Sequence, residues 1–247
     1  MRGFDLGDFY AALTNQFLLV GVLVTAGLTV AGLAGGLILG LAIALMRASS
    51  SGAVSKVAQG YIWFFRGTPL LIQMVMIYSG LPQLGIKFGV ITSVIVTLVL
   101  NEAAYMAEII RGGFLAIPAG QHDAAKALGL SRMQALRMVL LPQATRIILP
   151  ALGNSVNGLL KATSIASVIS MEELMRRAEM IMQIKFDVLE VFAAAAVYYL
   201  VLTTLWDRAQ RWLERRYDPT RTLQATEKKT TAATTVMPAV EQAALPR

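Results

Sequence analysis

Asn101, Tyr105 and Glu108 recur at i, i+4 and i+7 within an apolar stretch, with Glu102 directly after the first of them. On an α-helix that spacing lines them along one face. Asn154, Asn157, Lys161 and Ser164 make a comparable polar stripe further along the chain. An ionisable side chain at bilayer depth costs about 2.5–3.5 kcal/mol on insertion scales, so it faces a wet path or a partner. Glu102 and Lys161 therefore either line such a path or pair with each other or with backbone. Glu108 either joins the path or sits at an interface beside Arg111. Other chemistries lack their residues. There is no cysteine and one histidine, His122, so no cluster of soft metal ligands exists. No nucleophile and base converge in the pattern, which leaves no catalytic residue to nominate. The dipeptide Gly-Lys occurs nowhere, so the phosphate-cradling loop GxxxxGK[ST] is missing.

Positioning polar groups in this way requires helices at home in an apolar medium. Of the 247 residues, 56% are hydrophobic and 15% charged, where a soluble domain carries about 25% charged residues. Phe9 to Met46 contains no charged residue, and about 20 apolar residues cross a bilayer. The chain reads as an all-α integral membrane protein with about five transmembrane helices: within 17–46, then 67–86, 88–110, 147–170 and 188–206. The charge-free N-terminal run far exceeds a signal peptide's apolar core of roughly 7–15 residues, so it reads as a retained first helix. With the N-terminus outside and the C-terminus inside, segments 47–66, 111–146 and 207–247 hold sixteen Lys and Arg, against five in the outer segments. This bias follows the positive-inside rule. It accounts for the net charge of +7 without a nucleic-acid partner. Residues 1–16 form an interfacial segment, 17–217 the transmembrane domain with an inner loop at 112–146, and 218–247 a Thr/Ala-rich disordered tail.

Several local devices are legible. Thr68 is the expected N-cap of the second span, with Pro69 at N1. Gly32, Gly36 and Gly40 form two overlapping GxxxG steps that admit close approach of another backbone, in this bundle or in another subunit. Tyr61, Trp63, Phe64 and Phe65 suit an interfacial belt. Ser170 and Glu173 read as a capping box before a short surface helix that carries Leu174, Ala178 and Ile181 on one stripe.

The inner loop has the most deliberate punctuation. Pro118 opens it, Gln121 to Leu128 favours helix, and Gly129 is a natural C′ residue. Ser131 restarts a helix with Gln134 as capping-box partner; Met133, Leu136 and Leu140 give it an apolar stripe, and Pro142 is expected to limit it. The result is a rigid polar knob between two greasy segments, shaped to fit a cleft on another protein.

This loop resembles the signature of the membrane subunits of bacterial ABC importers: EAA, three residues, Gly, nine residues, Ile-x-Leu-Pro. Asp123-Ala124-Ala125, Gly129 and Val139-Leu140-Leu141-Pro142 keep every spacing, with Asp123 for glutamate and Val139 for isoleucine. "FFRGTPLLIQ" at 64–73, "AYMAEIIRGGFLAIPAGQ" at 104–121, "LLPQATRIILPALGN" at 140–154 and "KATSIASVIS" at 161–170 are similar to the polar amino-acid branch, whose members import histidine, arginine, glutamine, glutamate and opines.

The resemblance implies a type I ABC importer membrane fold and a multi-pass place in the bacterial cytoplasmic membrane. It implies a non-catalytic subunit that binds no cofactor, served by two separate ATPase subunits that use ATP and magnesium. It further implies a second membrane subunit, identical or paralogous, and a periplasmic or lipid-anchored solute-binding protein. The knob becomes a cytoplasmic coupling helix, with Gly120, Asp123, Ala124, Ala125, Gly129, Leu141 and Pro142 as its coupling residues. An amino acid is a zwitterion, so carboxylates and Lys161 on facing helices would suit it as a solute. A secondary transporter driven through Glu102 and Lys161 is the rival reading; five spans without an evident inverted repeat count against it.

Overall fold

The computed structural model describes residues 4–217, and the expected tail at 218–247 lies outside them. Among the described residues every regular element is helical. Four of the described helices are long and apolar enough to cross a membrane: Gln16–Arg47 (α2), Val90–Leu115 (α5), the continuous run Arg132–Ile169 and Val188–Tyr217 (α10). A short helix, Leu6–Leu13 (α1), precedes them. Asp5 caps α1 by accepting from the amides of Gly7 and Asp8, and its own amide donates to Glu190 on α10. The expected interfacial segment is therefore a helix docked on the last span.

The second expected span is a shorter, irregular helical run, Leu70–Leu84. Gly52–Gly67 (α3) ends at Thr68, and Leu70–Val75 (α4) continues through a π-helical turn, Met76–Gly80, into a 3-10 turn, Leu81–Leu84. Pro69 is the N-cap, one residue beyond the expected Thr68. Thr68 instead ends α3, its hydroxyl donating to the Phe64 carbonyl. Gln73 explains the break: its amide donates to the carbonyls of Phe65 and Thr68 and to the Thr68 hydroxyl. Carbonyls left free at the end of α3 are thus satisfied from α4.

The glycine seam of α2 packs on α5 of the same chain. A Cβ at Gly36 would stand 2.8 Å from the Cβ of Glu102, and one at Gly40 would stand 2.5 Å from that of Met106. Only glycine permits this backbone approach. The first core therefore lies between α2 and α5, where Leu28, Val94 and Leu98 are buried with Met74 of α4 and Leu159.

The knob is a helix, Ala119–Ala127 (α6), a turn, and then a rod. The rod begins as Arg132–Gln134 (α7), passes through a π-helical stretch, Ala135–Leu140, and continues as Leu141–Ala162 (α8). Pro142 does not end the helix, contrary to expectation. It sits in the first turn of α8, directly after the π stretch. Proline lacks an N–H and its ring crowds the carbonyl four residues back; the wider i→i+5 register upstream accommodates both defects.

A last correction concerns the short helix Leu174–Lys185 (α9), whose N-cap is Glu173 and not Ser170. Ser170 adopts a left-handed conformation at the end of the 3-10 turn Thr163–Ile169. The fully buried Glu173 carboxylate accepts from the amides of Met175 and Arg176, from Tyr199 of α10 and from Thr25 of α2. Burial pushes this carboxyl above the usual carboxylate range, outweighing the hydrogen bonds that favour the anion. The expected stripe holds: Leu174 and Ala178 are buried and Ile181 is partly so, against Leu18 and Val191.

Candidate functional site

Helix α5 carries the polar face that its spacing predicts, and α8 supplies the opposite wall. Between them, roofed by Leu70 and Ile165, lies a cavity of about 380 Å³ with Asn101, Glu102, Tyr105 and Ser155 as its polar lining. That volume falls in the range of small-molecule sites. Glu102 is 5% exposed and accepts a 2.6 Å hydrogen bond from the Ser155 hydroxyl. Asn101 donates to the Phe65 carbonyl and to Gln73, which ties α5 to the break between α3 and α4. The "FFRGTPLLIQ" stretch therefore positions this wall of the cavity.

The predicted stripe on α8 is divided. Asn157 turns away and donates to Asp207 on α10 at 2.6 Å. Ser164 donates to the Lys161 carbonyl, while Asn154 and Lys161 are exposed and none of the four lines the cavity. The face that does so carries Ser155, Gly158 and Ala162. These small residues recur at i, i+3 and i+7 and leave open space at Gly158, whereas polarity pointed to the neighbouring face.

Glu108 lies apart from Glu102. Arg111 grips it with both of its forked donors, at 2.7–3.2 Å. Arg47, at the end of α2, approaches to 3.4 Å, and Arg66, near the end of α3, to 3.7 Å. Three guanidinium groups from three helices thus share one carboxylate. Arg66 also reaches over the Tyr105 ring, 5.3 Å from its centroid.

The knob is built by local bonds. The Gly129 amide donates to the Lys126 carbonyl and the Leu130 amide to that of Ala125, with Gly129 at φ +71°. This is a Schellman turn, and its left-handed residue favours glycine. Ser131 and Gln134 then form the reciprocal capping box. Ile117, Leu140 and Ala144 pin the knob to the rod, and Gln143 donates to Gln121 across it. Ala125 is buried beneath it. Gly120, Asp123, Ala124, Gly129, Leu141 and Pro142 are exposed, as is Leu128 at 77%. A rigid scaffold therefore presents a mixed polar and apolar surface.

Residues 36–219 match the family described as "Binding-protein-dependent transport system inner membrane component". The glutamine transport system permease protein GlnP of Escherichia coli (strain K12) is 39% identical over 215 residues, which covers 86% of this chain and 97% of that protein. The octopine transport system permease protein OccM of Rhizobium meliloti is 38% identical over 214 residues, which covers 81% and 87% respectively. In three dimensions the chain is similar to a solved structure, an amino acid ABC transporter crystallised with histidines. The TM-score is 0.77, at 40% identity, covering 81% of this chain and 94% of that one.

Proposed function

The chain belongs to the binding-protein-dependent transport system inner membrane components, and on that premise we propose that it is the permease subunit of an ATP-driven importer of a polar amino acid. It sits in the bacterial cytoplasmic membrane with five spans, the short run that begins with α4 being the second, its N-terminus outside and its C-terminus inside. Two ATPase subunits, which carry the ATP and magnesium, dock on the knob at 121–141. A second membrane subunit completes the pathway, and an extracytoplasmic binding protein feeds it. The amino-acid cargo is supported by the relatives named for glutamine and octopine and by the transporter solved with histidines.

One observation carries the mechanism. The run from Arg132 to Ile169 is continuous, so the second helix of the knob, on which α6 is pinned, and one wall of the cavity are parts of a single rod. When the ATPases close on ATP, displacement of the knob tilts this rod. The tilt moves Ser155 and Gly158 relative to Glu102 on α5. The cavity thereby changes the side to which it opens, and the solute enters from the binding protein or leaves to the cytosol. Coupling residues are Gly120, Asp123, Ala124, Ala125, Gly129, Leu141 and Pro142; pathway residues are Asn101, Glu102 and Tyr105, with Ser155 added.

The sequence has no cysteine, so a single Leu128→Cys gives a background-free docking probe. It is expected to cross-link to the ATPase subunit in the assembled complex. No cross-link there, with Cys at the lipid-facing Ile38 behaving identically, would remove the knob from the interface.

A further inference from the structure

The cavity between α5 and α8 holds a buried carboxylate, Glu102, but among the described residues no Lys or Arg lines it. A free amino acid bears an ammonium and a carboxylate. Glu102 is complementary to the ammonium; Asn101, Tyr105 and Ser155 offer the carboxylate only neutral groups. A guanidinium adds Coulomb attraction and a bidentate fork to the hydrogen bond. Lys161, the cation expected to serve, is exposed on α8.

Arg66 is the cation that touches the lining, through its contact with the Tyr105 ring. It is also the least committed of the three guanidinium groups at Glu108. Arg111 holds that carboxylate bidentately, whereas Arg66 stands 3.7 Å away with 43% of its side chain exposed. An exposed, long pair of this kind is weak. Because Arg47 and Arg111 remain at Glu108, Arg66 can leave without stranding a charge.

We propose that Arg66 receives the α-carboxylate of the solute, leaving Glu108 to do so, while Glu102 faces the ammonium. Together they make a zwitterion site along α5. The two carboxylates are six positions apart, about 9 Å along a helix, which sets the carboxylate end of the solute toward the knob. This inference rests on the reading of the protein as an amino-acid importer.

The test uses the assembled complex. A screen of the standard amino acids for ATP-driven uptake in proteoliposomes identifies the imported one. Equilibrium binding of that amino acid and of its α-carboxamide is then measured on the complex without binding protein. Arg66→Gln is expected to weaken the acid by about tenfold and leave the carboxamide unchanged, and Arg66→Lys to restore part of the preference for the acid. Equal losses for both compounds, no loss, no measurable binding to the unaltered complex, or loss of the preference in Lys161→Ala instead would overturn the assignment of Arg66. A complex that imports no amino acid, or imports one without ATP, would overturn the importer reading itself.

Discussion

The hydroxyl of Ser155, on the rod that begins in the knob, donates a 2.6 Å hydrogen bond to the carboxyl of Glu102 on α5. It is a polar link between the two walls of the cavity. Ser155→Ala removes it and leaves a buried carboxyl short of a partner, at a cost of about 1–3 kcal/mol. A lowered melting temperature in detergent is expected. Glu102→Gln keeps an acceptor there and discards only the charge, so its melting temperature stays near that of the unaltered protein while uptake is lost. Uptake unaffected by Glu102→Gln would remove that carboxylate from the pathway.

Gly129 sits at φ +71° in the Schellman turn, with open space where a Cβ would be. Substitution is therefore opposed by backbone conformation alone. Gly129→Val forces a β-branched residue toward a left-handed geometry that costs roughly 1–2 kcal/mol. The knob re-angles while the bundle still inserts. Uptake per ATP hydrolysed is expected to fall by about tenfold, the change that ~1.4 kcal/mol produces. Normal coupling in this variant would mean that the turn does not set the docking angle.

Burial raises the Glu173 carboxyl above its ordinary range, so the folded chain keeps that proton to higher pH than the unfolded chain does. Its contribution to stability is full below the unfolded value and declines as pH rises through the folded one. Thermal denaturation in detergent from about pH 4 to pH 8, spanning the carboxylate range and above, should show this decline. Glu173→Gln, which cannot titrate, should flatten it. An unchanged slope in that variant would place the effect elsewhere.

Features decided by neighbouring residues were legible in the sequence. The Gly129 turn and the Ser131–Gln134 box depend on bonds within a few positions, and both stand where their spacing puts them. The Gly36 and Gly40 seam is a steric statement and survives the choice of partner. Features decided by distant groups were not legible. Glu173 became a cap because Thr25 and Tyr199 close around it, which no local pattern announces. On α8, polarity favoured Asn154, Asn157 and Lys161, but Asp207 draws Asn157 toward α10 and the small face of Ser155 and Gly158 turns to α5. The π stretch before Pro142 lets a helix continue where local rules end it.

The most direct measurement compares proteoliposomes that hold this chain alone with others that also hold the ATPase subunits, the second membrane subunit and the binding protein. Accumulation of the imported amino acid against its gradient is expected only in the complete set. It should require ATP and be indifferent to a protonophore. Concentrative uptake by the chain alone, abolished by the protonophore, would contradict a permease worked through its knob.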